Sequence, residues 1–306
     1  MTAGTVLTIG LFDGVHLGHQ AVIARVVEEA KRLGRESAVV TFDRHPAAVL
    51  RPGSGPLLLT DARLKEELLL AQGIDQVVMI EFTREFAGLT PTDFLEDYIM
   101  PLQPDKILVG RDFHFGRRGV GDVTLLEDFA HRRGFQSESL PLLAMDGIKA
   151  SSSKIREYIL AGDINGARAM LGRWPVYRGQ VAGGEKRGRL LGFPTANILI
   201  PDYICLPAAG VYAGVARAVD IPDTAAVLNI GYAPTFAARA TPLLEAHLLD
   251  FSQDVYGAEL TIEFRAWLRG EERFEDADAL GRQIAADARQ TRDMLLLTDT
   301  ERRSEE

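Results

Sequence analysis

Apolar residues in the first half of the chain fall alternately into runs of strand length and longer stretches with helical spacing. Residues 5–10 form the first run, a glycine-rich loop follows, and residues 20–33 carry a helical repeat that closes on Gly34. The same pattern predicts strands at 37–42, 76–82 and 106–110, and helices near 61–72, 91–100 and 124–133. Thr90 and Pro91 read as N-cap and first helical residue, with Asp93 in the opening turn where the helix dipole favours a carboxylate. Alternating strands and helices imply a doubly wound parallel sheet with helices on both faces.

Residues 152–171 are helical in pattern, interrupted at Gly162 and Asp163, and end in Gly172-Arg173-Trp174-Pro175. Beyond that point the texture changes. Strand-like runs at 176–181, 211–218, 225–230, 243–250 and 259–268 follow one another between Gly and Pro clusters, which predicts a small antiparallel barrel. Residues 276–297 then form one amphipathic helix, with Leu280, Ile284, Ala288 and Met294 among its apolar positions, suited to covering the barrel. The expected division is therefore a first domain at 1–173, a second at 174–298, and a polar tail at 299–306.

Composition narrows the chemistry. With 46% hydrophobic and 25% charged residues over 306 positions, the chain is a folded one of about two domains. The 34 Lys+Arg against 43 Asp+Glu leave a net charge of −9, which argues against nucleic acid or anionic lipid as a partner, so any phosphate site must be local. The single cysteine, Cys205, excludes an intrachain disulfide and any multi-cysteine metal site. No apolar run reaches membrane-spanning length and no secretory leader is evident, so a cytoplasmic, membrane-free location is expected.

The first chemical constellation is Gly10-Leu-Phe-Asp-Gly-Val-His-Leu-Gly-His19, which joins the first strand to the first helix, the place where doubly wound sheets bind phosphate. Gly10, Gly14 and Gly18 are four apart, so the dinucleotide fingerprint GxGxxG is absent. His16 and His19 flank a glycine and can donate hydrogen bonds to a phosphoryl group as its charge moves to the leaving oxygen. The alternative is that both merely cap a helix; a metal site lacks a third ligand.

Phe12-Asp-Gly-Val-His-Leu-Gly-His19 resembles the HxGH signature of nucleotidyltransferases, in the form found in bacterial bifunctional riboflavin kinase/FAD synthetases. Gly110-Arg-Asp-Phe-His-Phe-Gly116 resembles that family's GxDFxFG segment, and Ser151-Ser-Ser-Lys-Ile-Arg156 its SSTxIR motif. The resemblance implies a Rossmann-like FMN adenylyltransferase domain in which Gly14, His16 and His19 hold the ATP phosphates and Ser152 and Arg156 their β/γ end. A helix start with serines, Lys154 and Arg156 suits an anion; an ordinary N-cap and a solvated arginine are the alternatives. Asp112 is a candidate for contacting Mg²⁺ or adenosine, or a turn former, and Arg111, His114, Arg117 and Arg118 make a cationic loop or a solvated one.

In the second half, Gly183-Gly-Glu-Lys-Arg-Gly-Arg-Leu190 nearly fits a P-loop, but Arg189 and Leu190 replace the lysine and the hydroxyl; Gly188 remains a phosphate-contact candidate. Thr195 and Asn197 of Gly192-Phe-Pro-Thr-Ala-Asn197 lie two apart, so in extended chain both oxygens reach one side, fit for Mg²⁺ and ATP phosphates. The segment resembles the riboflavin kinase signature GxxLGFPTAN. Glu245 then matches the family's catalytic glutamate, sharing a face with His247 and Leu249 and expected to point into the barrel mouth. The resemblance spans about residues 5–297. It implies a Greek-key-type kinase barrel, riboflavin, FMN, FAD and ATP as substrates and products, Mg²⁺ as cofactor, and no tightly bound redox group. Leu11, Ser153 and Tyr232-Ala233 depart from the family pattern: Ser153 keeps a hydroxyl, the others lose polar contacts.

Overall fold

The computed structural model describes residues 4–141, 144–145, 148–182, 194–219, 221–232 and 242–305. It resolves into two units that divide between Ser152 and Ser153.

In the first unit, β1 (Thr5–Ile9), β2 (Glu36–Phe42), β3 (Gln76–Ile80), β4 (Pro104–Gly110) and β5 (Gln136–Leu140) form a sheet of order β3-β2-β1-β4-β5. Every pairing in it is parallel. Central β1 is buried along its whole length, which is why its sequence TVLTI is a continuous run rather than an alternation. Successive residues feed opposite cores. Leu7, Ile9 and Val40 pack with α4 (Pro91–Phe94) and α5 (Val123–Arg133), while Val6, Val39 and Leu108 pack with α1 (Leu17–Leu33) and α3 (Ala62–Leu70). Between α1 and α3 a short α2 spans Pro46–Leu50, and after β5 a short antiparallel pair joins β6 (Ala144–Met145) and β7 (Ile148–Lys149). The strand order reverses beside β1, so the loop leaving β1 lies at the switch point where such sheets bind ligands.

The caps follow the sequence. Thr90 and Asp93 form a reciprocal capping box with Pro91 in the first turn of α4, and Gly34 closes α1 at φ 64°. The predicted helix at 91–100 is α for one turn only. It continues as a π-helical stretch over Leu95–Ile99 and a 3₁₀ turn over Met100–Leu102.

The second unit takes in all but the first residue of α6 (Ser152–Leu160), and α7 (Ile164–Leu171), so it begins 21 residues before the boundary that the sequence suggests. Six antiparallel strands follow: β8 (Val176–Ala182), β9 (Ala196–Leu199), β10 (Gly210–Ala218), β11 (Ile221–Tyr232), β12 (Pro242–Leu248) and β13 (Glu259–Arg269). They close as β10-β11-β12-β9-β8-β13, with β9 returning beside β12 in a Greek key. Tyr212, Phe264 and Tyr177 fill the interior edge to face, at ring separations of 5.1 and 5.3 Å. The final helix α8 (Ala277–Glu305) lays Ala288 on Val211, Val227 and Leu249 of the barrel's outer face, and Asp287 takes a bidentate pair from Arg269. It runs on through most of the stretch that composition assigns to a polar tail.

Candidate active sites

The turn from β1 into α1 is strained and fully braced. Phe12 and Val15 sit at φ 49° and 40°, left-handed values that side chains rarely adopt, and Gly14 at φ 80°. A Cβ on Gly14 would meet Leu59 Cδ1 at 2.6 Å at a backbone φ that favours glycine. The Asp13 carboxylate accepts the Leu59 amide at 2.8 Å, the Gly14 amide donates to Thr60 Oγ1 at 3.3 Å, and Gln20 Nε2 donates to Val15 O at 2.9 Å. Asp13, 4% exposed, is thus a brace of the turn.

His16 is the N-cap of α1: its Nδ1 accepts the His19 amide at 3.3 Å, which leaves the ring proton of a neutral His16 on Nε2. The two imidazoles stack at 3.6 Å, and Phe12 meets His19 edge-on at 5.1 Å. The capping reading therefore holds for His16, through Nδ1. Gly18 has a reason beyond ligand approach, since a Cβ there would press on the His16 ring at 3.1 Å. Burial, then the neighbouring His16 and Lys65, push the His19 pKa well below 6.5, so His19 is neutral at pH 7. Its Nδ1 is buried without a hydrogen-bond partner.

Both rings line a cavity of about 710 Å³. Its far wall is aromatic: Phe42, Phe82 and Phe86 meet at ring separations of 5.3–5.5 Å. Asp112, His114 and Arg118 of the cationic loop reach its rim, as do Arg51, Ser151 and Ser152. The Ser152 hydroxyl donates to Asp13 O at 2.9 Å, so its proton is engaged and its capacity to bind an anion falls to its backbone amide. Lys154 is paired with Glu157 at 2.6 Å, and Arg156 lies one turn along α6 from Ser152. Leu11 lines the cavity with its side chain, while its carbonyl accepts Thr41 Oγ1 at 3.0 Å and Lys65 Nζ at 3.2 Å. That tie is made by main chain, which any residue at 11 supplies.

In the second unit Asn197, Glu245 and Asn229 are direct cross-strand partners on β9, β12 and β11, forming one polar row. Asn229 Nδ2 donates to Glu245 Oε2 at 3.4 Å. The row faces outward. Leu244, Ala246 and Leu248 alternate with it into the barrel interior, so the expectation that Glu245 points into the barrel mouth is corrected: it stands half-buried on the outer wall. The same alternation that pairs Glu245 with His247 forces this, because the interior positions of β12 are all apolar. Thr195 lies exposed just ahead of β9, and His247 Nδ1 is 2.9 Å from Pro194 O. Gly188 and Ala233 lie outside the described residues.

Sequence reasoning missed the aromatic wall, Arg51 and the buried Lys65. Phe82 and Phe86 follow β3 and read as ordinary core. Lys65 had a signal, a lysine among the buried positions Leu64 and Leu69 of an amphipathic helix.

Comparison with known proteins covers both units. A family model described as FAD synthetase matches residues 1–154, and one described as riboflavin kinase matches 171–295. A bifunctional riboflavin kinase/FMN adenylyltransferase of Pseudomonas fluorescens is 38% identical over 93% of this chain and 91% of its own length. That of Escherichia coli K12 is 35% identical over 96% and 94%. A solved Streptococcus pneumoniae structure described as a macrolide-efflux protein superposes with a TM-score of 0.85 at 29% identity, covering 95% of each chain. Among the described residues of the present chain, no helix is long and apolar enough to cross a membrane.

Proposed function

The chain belongs to the bifunctional riboflavin kinase/FMN adenylyltransferase family, and on that premise we propose which of its residues carry each reaction and with what metal. The family phosphorylates riboflavin to FMN with ATP and adenylylates FMN to FAD with release of pyrophosphate.

In the first unit, an FMN phosphate oxygen attacks the α-phosphorus of ATP; the new P–O bond forms as the α–β bridge breaks and pyrophosphate leaves. His16 and His19 act as hydrogen-bond donors to the phosphate chain in this transfer. A neutral His19 offers one N–H, and a phosphate oxygen in the cavity is the acceptor that fixes which nitrogen bears it. Gly14 keeps the turn close to the phosphates, and Ser152 and Arg156 take the β/γ end from the start of α6. Asp112 stands at the rim for a contact to the nucleotide. The aromatic wall suits the flat rings of the substrates.

In the second unit, the terminal hydroxyl of riboflavin attacks the γ-phosphorus and gives its proton to Glu245, with ADP leaving. Asn229 orients that carboxylate. Thr195 and Asn197 are hard oxygen donors beside it and fit Mg²⁺, which takes few protein ligands and completes its shell with phosphates and water. Among the described residues no group of three or more His, Cys, Asp or Glu is poised to hold a metal, and this site does not require one. Bound Mg²⁺ supplies charge neutralisation on the phosphates. Gly188 is placed with the nucleotide by its motif alone. The cytoplasm is the location this chemistry suits, where ATP is supplied.

The row Asn197–Glu245–Asn229 carries the kinase assignment and the stacked His16–His19 pair the transferase one. The test is purified protein with riboflavin, ATP and Mg²⁺, followed by chromatography. FMN and then FAD are expected, and both vanish when EDTA replaces Mg²⁺. FMN formation undiminished in EDTA would overturn the metal assignment.

A further inference from the structure

Lys65 is 5% exposed, a burial that lysine accepts only with partners. It projects from α3 and donates to two backbone carbonyls from different elements: Leu11 O, at the start of the strained turn, and Phe42 O, at the end of β2. Thr41 Oγ1 adds a second donor to the same Leu11 carbonyl. The next residue, Phe12, is the first left-handed position of the turn, and its ring abuts His19.

We propose that Lys65 is a positioning residue for adenylyl transfer, clamping the Leu11 and Phe42 carbonyls so that the left-handed turn at Phe12 and Val15 aims His16 and His19 into the cavity. The inference rests on the roles given above to His16 and His19. Left-handed Phe12 and Val15 are strained and persist only where their surroundings over-determine them. A buried cation gripping the first carbonyl of the turn is such a determinant. A methyl group of equal reach would take the ammonium donor from the Phe42 carbonyl, leave the Leu11 carbonyl with Thr41 Oγ1 alone, and loosen the turn.

The titratable groups facing Lys65 are Asp13 from the turn, Asp43 from the segment after β2 and His19 from α1. Burial lowers its pKa to about 8 against the pull of the two carboxylates. The clamp should therefore weaken as pH rises through 8. Stability has the opposite sign: between about 8 and the unfolded lysine value the unfolded chain binds the extra proton, so this group's contribution to stability rises with pH. An activity lost at high pH while the fold is not destabilised is a signature that a merely structural lysine does not give.

The experiment measures FAD formation from supplied FMN in wild type, Lys65→Met, Lys65→Arg and His19→Ala, with thermal melting of each. Lys65→Met is expected to lower kcat about 30-fold or more with KM for ATP changed only a few-fold, and Lys65→Arg to recover much of kcat. Wild-type kcat should fall above pH 8, and Lys65→Arg should hold its rate to beyond pH 9 because arginine stays charged. A folded Lys65→Met within twofold of wild type overturns the inference. Should that variant not fold, a wild-type kcat flat from pH 7 to 9.5 overturns it equally. An undiminished His19→Ala would instead remove the reading of the histidines on which the inference rests.

Discussion

His19 shows how much one side chain's setting decides. Two histidines three apart after a first strand are legible in the sequence, but their stacking is not, and the neutrality of His19 arises from burial, then from His16 and from Lys65, which lies 46 residues away in the chain. His19→Ala should lower FAD formation about 100-fold or more, the scale of a lost transition-state hydrogen bond, while FMN formation continues. The same setting gives a pH effect. Below about 6.5 the unfolded imidazole binds a proton that the folded one refuses, so stability of the first unit rises with pH up to that value. Thermal melts between pH 5 and 7 should show a shallower slope in His19→Ala, by at most about 1.4 kcal/mol per pH unit; equal slopes would mean that His19 titrates normally. Glu245 was found by its motif, whereas its outward direction needed the apolar interior of β12 as the reference. Glu245→Gln should keep flavin and ATP binding within a few-fold yet reduce FMN formation about 100-fold, measured by separate binding and turnover assays.

At the scale of elements, those with a buried face were readable and those held mainly by backbone pairing were not. The strands β1, β2 and β4 and the helices α1 and α5 announce themselves through apolar runs, caps and closing glycines. β5, QSESL, sits at the sheet edge against β4 and needs no apolar alternation, and β9 is four residues placed by its neighbours β8 and β12. The π-helical stretch after α4 leaves no local signature in LEDYI. The turn before α1 is the element on which the first site depends, and Gly14→Ala probes it. The new Cβ strikes Leu59 and the backbone keeps φ 80°, so a loss of about 1–3 kcal/mol is expected in the melting of the first unit. FAD synthesis should fall with it and riboflavin phosphorylation should not; a variant as stable as wild type would show the turn to be slack.

For the whole molecule, the sequence conveys two domains of different texture but not the ownership of the helices between them. Their allegiance is set by contacts with the barrel: Ala208 N donates to Ile159 O, Gly162 packs on Trp267 and Tyr212, and the Arg168 guanidinium lies 4.1 Å over Trp174. We propose that the smallest fragment with full kinase activity starts near Ser153. A fragment from 153 should melt cooperatively and phosphorylate riboflavin, and one from 174 should melt at lower temperature; equal melting of the two would return α6 and α7 to the first domain. The central claim is that one chain holds two chemically independent sites. Its most direct test is product analysis of His19→Ala and Glu245→Gln given riboflavin, ATP and Mg²⁺, then FMN in place of riboflavin. His19→Ala should accumulate FMN without FAD, and Glu245→Gln should make FAD only when FMN is supplied. A folded His19→Ala that makes no FMN from riboflavin, a folded Glu245→Gln that makes no FAD from supplied FMN, or variants that lose neither product would contradict the account.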